Sequence, residues 1–143
     1  CKDCQYEWEA LPTNLLRYRG CPACSMSKGE KFIKYYLEQN SIDFEAQKKF
    51  PECKNIRELP FDFYLPKYNC CIEFDGQQHY APATYFVKDE EKAEQIYKDT
   101  KARDLIKDNF CREHKIFLLR IPYWKVNNIS EVLNEFLRNL GRI

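Results

Sequence analysis

Cys70-Cys71-Ile72-Glu73-Phe74-Asp75-Gly76-Gln77-Gln78-His79-Tyr80 is the stretch on which the reading of this chain turns. An apolar run of β formers enters a glycine turn, and two carboxylates, two amides and a histidine follow one another within seven residues. Side chains two apart on a strand share a face, so Glu73 and Asp75 stand side by side unless the strand bends at Asp75. Two neighbouring carboxylates are costly without a cation or a proton between them. The stretch therefore reads as a strand that ends in a chemical site.

Working outward, Phe61-Asp62-Phe63-Tyr64-Leu65 reads as a strand closed by Pro66, and Lys67-Tyr68-Asn69 turns the chain back into Cys70, which makes a hairpin. Asp62 sits between aromatics in a segment that seeks burial, so its carboxylate needs a metal or a hydrogen-bonding partner. Upstream, Ile42 to Phe50 alternates apolar and polar residues as a half-buried strand does, and Pro51 to Pro60 reads as a loop. Ser27-Lys28-Gly29-Glu30 matches a capping box and opens a helix with Phe32, Ile33, Tyr36 and Leu37 on one face. Glu30 thus has a purely local explanation as well as a functional one. Gly29 is odd for a cap alone and suggests a close backbone approach.

Downstream, Ala81 to Asp89 is an irregular loop carrying Tyr85 and Phe86, long enough to form a lid or a wedge. Glu90 to Glu113 is the longest helical pattern, with a potential break near Asp99. Its cations Lys101, Arg103 and Lys107 make either a solvated face or a phosphate-contacting one. Ile116 to Ile121 is a nearly continuous apolar run, which predicts a strand covered on both faces. After Pro122, Ser130 is expected to cap a last amphipathic helix with Val132, Leu133, Phe136, Leu137 and Leu140. His114 reads as a helix-end residue near the last carbonyls.

The N-terminal segment is organised differently. Cys1, Cys4, Cys21 and Cys24 form two Cys-x-x-Cys pairs with sixteen residues between them, the spacing of a four-cysteine zinc site. Residues 1–26 therefore read as a zinc ribbon, too small to fold by burial and held by its metal. Arg17 and Arg19 are its candidate DNA contacts. Cys53, Cys70, Cys71 and Cys111 read as small buried hydrophobes, so the compartment is reducing. An intracellular location, in bacterial or host cytoplasm or in a nucleus, is expected, not secretion.

At 143 residues, 44% of them hydrophobic, the chain can bury one good core plus a small appendage. A formal charge of +1 excludes a globally basic nucleic-acid binder, although charge can still be segregated by face. No apolar run approaches the roughly 20 residues a membrane span needs, so no membrane partner is expected. Cys1 and not methionine opens the sequence, so further sequence upstream is expected.

The order helix, three strands, helix, strand, helix, with Glu30, Asp62, Glu73 and the glycine–histidine turn, resembles the PD-(D/E)XK nuclease superfamily over roughly residues 27–123, within a nuclease domain expected to span residues 27–143. Within it the pattern is most similar to the very-short-patch repair endonuclease branch and its EDxHD homing-endonuclease relatives. The most specific part is Phe61-Asp62-Phe63, then Ile72 to His79, then Arg103-Asp104 in a helix and Leu118-Leu119-Arg120 in a strand. The resemblance implies an α/β fold, a restriction-endonuclease-like αβββαβ core with a mixed central sheet. It also implies catalytic roles for Glu30, Asp62, Glu73, His79 and Asp104, with Asp99 as the alternative final aspartate. The departure lies two residues after Glu73, where Asp75 stands in place of the superfamily lysine.

Chemistry leads to the same assignment. Asp62 and Glu73 are hard oxygen ligands suited to Mg²⁺, with Mn²⁺ able to substitute. His79 suits a general base or acid, oriented by Asp104. Asp75 either joins the metal shell or caps the glycine turn, and Gln77 and Gln78 are further candidates for contact with phosphate or DNA grooves, one of them expected to be simply exposed. The expectation is a Mg²⁺-dependent DNA endonuclease of homing, mobile-element, phage or viral type, working as a homodimer or fused to an upstream recognition region. The rival expectation is a catalytically inactive DNA-binding or interaction module of a larger nucleic-acid-processing protein.

Overall fold

A computed structural model describes residues 25–83 and 88–141. The expected zinc ligands Cys1, Cys4, Cys21 and Cys24, the candidate contacts Arg17 and Arg19, and the loop aromatics Tyr85 and Phe86 lie outside the described residues. The rest is mixed α/β. Helix α1 (Lys28–Gln39) leads into strands β1 (Glu45–Lys54), β2 (Glu58–Leu65) and β3 (Cys70–Asp75), then helix α2 (Glu90–Glu113), strand β4 (Phe117–Pro122) and helix α3 (Ile129–Leu140). The strands form one mixed sheet in the order β1-β2-β3-β4. β1–β2 and β2–β3 are antiparallel; β3–β4 is parallel, with α2 as the crossover.

Two core clusters place the layers. Ile33, Tyr36 and Leu37 of α1 and Ile129 and Leu133 of α3 pack with Phe63, Leu65, Cys70 and Ile72 on one face. Phe110 and Cys111 of α2 pack with Cys53, Phe61 and Cys71 on the other. The four cysteines beyond the ribbon are free and buried, as expected of small hydrophobes. No helix among the described residues is long and apolar enough to cross a membrane.

The capping box at Ser27 is present: Glu30 N–H donates to Ser27 Oγ at 3.2 Å, and Ser27 N–H donates to Glu30 Oε2 at 2.8 Å. Gly29 has the close approach its oddity suggests, since a Cβ there would lie 2.3 Å from the ring of Phe74. Phe32, expected in the core, is 42% exposed, under the ammonium of Lys28.

Four sequence expectations are corrected. The loop predicted over 51–60 is largely strand, because β1 runs on through Pro51 to Lys54. β1 is an edge strand, where a missing N–H need not break a ladder, and its register shifts between Lys49 and Lys54. β4, predicted to be covered on both faces, is the opposite edge, with Phe117 43% exposed. The strand that is buried through nearly its whole length is the central β3. Ser130 lies inside α3, whose N-cap is Asn128 without a side-chain cap bond. Helix α2 is continuous across Asp99, capped at its start by Asp89 through the N–H groups of Glu91 and Lys92.

Candidate active site

The regular alternation of β2 fails at Asp62. Phe61 and Phe63 would share a face of an ideal strand, yet they lie in different core clusters, and pairing with β3 begins only at Phe63↔Ile72. Beyond that pair the Asp62 carboxylate takes the place of a backbone acceptor, with Phe74 N–H donating to Oδ2 at 2.8 Å. Asp62 is therefore held where the sheet opens, beside Glu73. Burial, and then the Glu73 charge, push its carboxyl from an ordinary 3.8 up to about 7, against the opposing Phe74 N–H.

This opening is one end of a cleft of about 520 Å³. Glu30 of α1, Asp62 of β2, Glu73 of β3, His79 of the turn and Asp104 of α2 all line it. Five residues that span 75 positions of sequence thus converge from five elements. Asp99 does not: it is exposed on α2 and accepts from Gln95 Nε2 at 2.9 Å. Between the two candidates for the final aspartate, Asp104 is the one at the histidine.

Gly76 starts the short 3-10 turn Gln77–His79, which carries the His79 ring back against α2. His79 Nδ1 lies 2.9 Å from Asp104 Oδ2. A carboxylate only accepts, so Nδ1 carries the proton and Nε2 keeps the ring's free lone pair. Burial pushes the Asp104 carboxyl up, but the bond with His79 and the Arg120 charge outweigh it and hold it below its ordinary value. Of the two candidate glutamines in the turn, both exposed, Gln78 lines the cleft and Gln77 does not.

The cations of α2 are placed differently from a simple phosphate-binding face. Lys107 points inward, its Nζ 2.7 Å from Glu73 Oε1, with the two side chains only 12% and 5% exposed. Burial still raises the Glu73 carboxyl above its ordinary value, the Lys107 charge opposing. Lys101 donates to the His79 backbone oxygen at 3.2 Å, and Arg103 lines the cleft while donating to Thr100 Oγ1 at 3.3 Å. Asp75, which is not among the residues lining the cleft, is held by Arg120. Arg120 Nη1 donates to both of its oxygens, at 3.0 and 3.3 Å. His114 meets its expectation, with Nδ1 2.9 Å from the Phe110 carbonyl.

Among the described residues no three His, Cys, Asp or Glu side chains form a ready cage for a metal ion. Mg²⁺ rarely needs one, since it keeps waters and binds through one or two carboxylates plus substrate phosphate. The half-buried Asp62 and the buried Glu73, whose charge raises the cost of ionising Asp62, are a donor set of that kind. Reading the sequence missed two residues, Lys107 as the partner of Glu73 and Arg120 as the partner of Asp75. Arg120 carried a signal, because a lone guanidinium in the apolar run from Ile116 to Ile121 must find carboxylates to be buried.

No family model matches the chain, and no solved structure matches it. Two curated proteins are similar over part of it. Uncharacterized protein 033L of Invertebrate iridescent virus 3 is 33% identical over 86 residues, covering 59% of this chain and 42% of that protein. Uncharacterized protein 307L of Invertebrate iridescent virus 6 is 31% identical over 83 residues, covering 58% and 40%. The matched part of the chain thus spans about two fifths of the length of these relatives.

Proposed function

We propose that this chain is a metal-dependent DNA endonuclease with a restriction-endonuclease-like core over residues 27–143, preceded by a structural four-cysteine zinc ribbon. The observation that carries the reading is the meeting of Asp62, Glu73 and the His79–Asp104 pair in one cleft. Phosphodiester hydrolysis needs a nucleophile made from water, stabilisation of added negative charge and a proton for the leaving oxygen. Asp62 and Glu73 would hold Mg²⁺, or Mn²⁺ in its place, and the ion would supply phosphate polarisation and an acidified water. His79 receives or donates a proton at Nε2 while Asp104 holds its tautomer. Glu30 lines the cleft to orient water, and Arg103 offers a fixed positive charge to the strand. Lys107 stands where an ammonium compensates for the absence of a lysine two residues after Glu73. The two relatives come from viruses, which accords with a viral or mobile-element type acting inside a host cell.

One observation favours the rival, an inactive DNA-binding module: the Lys107–Glu73 pair occupies one of the two carboxylates. Incubation with supercoiled plasmid separates the readings. Cleavage in Mg²⁺ and none in EDTA, abolished by Asp62→Ala and by His79→Ala with folding retained, is the expected outcome. Metal-dependent cleavage that survives both substitutions would place the activity elsewhere.

A further inference from the structure

His79 Nδ1 faces two carboxylates, Asp104 Oδ2 at 2.9 Å and Asp75 Oδ1 at 3.7 Å. One N–H cannot serve both, and both acids are buried. Arg120, two-thirds of the way along β4, touches each of them. Its Nη1 donates to both oxygens of Asp75 and lies 3.6 Å from Asp104 Oδ1, and its Nη2 donates to the Asp104 backbone oxygen at 3.3 Å. The far side of the guanidinium is held by Asp108 Oδ1, 2.9 Å from Nε and 2.8 Å from Nη2.

We propose that Arg120 is a positioning residue that selects the partner of His79. By occupying both oxygens of Asp75, the guanidinium withdraws that carboxylate from competition. By sitting against Asp104 Oδ1 and the Asp104 carbonyl, it leaves Oδ2 turned toward the imidazole. The planar fork matters, because it reaches Asp75, Asp104 and Asp108 from one rigid group, which the point charge of a lysine cannot do. The other cation beside this histidine, Lys101, acts on its backbone oxygen and not on the ring. The positioning stands on these contacts; only its catalytic consequence rests on the nuclease reading.

The test uses the metal-free protein at pH 8 and long-range ¹H–¹⁵N NMR of the ring nitrogens, which is tractable because the chain has only two histidines. Wild type is expected to show one sharp, downfield Nδ1–H resonance for His79, its proton bonded to Asp104. Arg120→Gln should shift and broaden that resonance as Asp75 competes for the same proton, and the double variant Asp75→Asn/Arg120→Gln should return it. Arg120→Lys should fall between, and it carries the test if Arg120→Gln does not fold. An unchanged Nδ1–H resonance in Arg120→Gln or Arg120→Lys overturns the proposal. So does a disturbance that Asp75→Asn fails to reverse, since a merely structural arginine would behave that way. In cleavage assays Arg120→Gln should lose about 10–100-fold in kcat with KM little changed, the usual cost of losing a group that orients a site residue. If the Nδ1–H resonance responds as expected and cleavage does not, it is the catalytic role of His79 that fails and the positioning that stands.

Discussion

Asp62→Asn is expected to make the metal-free protein more stable, by an amount that grows from about pH 4 and levels off above about pH 7. The Asp62 carboxyl is held at about 7 in the fold against an ordinary 3.8, by burial and by Glu73. A carboxyl with a raised value in the folded state binds its proton more tightly there than in the unfolded chain. Below about pH 4 both states are protonated and nothing is lost. As pH climbs from about 4 to about 7 the unfolded chain ionises while the folded carboxyl keeps its proton, so stability falls, and the fall is complete once the folded carboxyl ionises as well. At 1.36 kcal/mol per pH unit the difference amounts to at most about 4 kcal/mol, fully present above pH 7. Asparagine keeps a carbonyl oxygen for the Phe74 N–H and removes the charge. In urea unfolding with EDTA, Asp62→Asn and wild type should therefore match near pH 4 and part by about 2–4 kcal/mol at pH 8. Mg²⁺ should narrow the gap at pH 8 by stabilising wild type alone, because a ligand that binds only the folded state adds to stability. A difference independent of pH, or a wild type that gains on the variant as pH rises, would refute the account of Asp62 as an ionisable group kept at a cost.

Other outcomes are as definite. Lys107→Met strands Glu73 as a buried, unpaired charge and should cost roughly 3–5 kcal/mol in thermal or urea unfolding, largely recovered in Glu73→Gln/Lys107→Met. Gly29→Ala, ordinarily favourable inside a helix, should here cost about 1–3 kcal/mol by thermal unfolding, because the new methyl meets the Phe74 ring; Phe74→Leu should relieve it. Elemental analysis of the full chain should find one zinc per molecule, and Cys21→Ser should lose it while the far-UV circular dichroism of the α/β core persists.

The order of elements was legible because each carries its own local signal. The capping box at Ser27, the Pro66–Asn69 turn between two β-rich runs and the long 3.6-residue pattern of α2 are all decided by near neighbours. The errors fall where position in the sheet overrides composition. Ile116 to Ile121 is more apolar than many central strands, yet it forms an edge, since nothing within six residues records how many strands flank it. Pro51 reads as a break, yet it is tolerated because the strand that contains it has one free side. Phe32 has helical spacing with the core residues but lies on the rim of the buried stripe, where Lys28 covers it.

The site divides along the same line. Acids and the histidine announce themselves, since a carboxylate between phenylalanines or beside a glycine turn has no inexpensive structural reason to be there. Their partners do not, because a partner is defined by geometry across the crossover. Glu73 pairs with Lys107, 34 residues away, and Asp75 with Arg120, 45 residues away. Both pairings exist only because β3 and β4 run parallel, with Glu73 opposite Arg120, and α2 lies across them. Of the α2 residues that line the cleft, Thr100, Arg103, Asp104 and Lys107 are polar and Ile96 alone is apolar, so the helix is weakly amphipathic and reads as solvated. That blurring has a physical source: a helix that covers a core at Phe110 and Cys111 and a charged cleft one or two turns earlier cannot present a single apolar stripe. A long helix whose buried face changes from polar to apolar along its length is therefore itself a mark of a site, and here the change falls at Asp104 and Lys107.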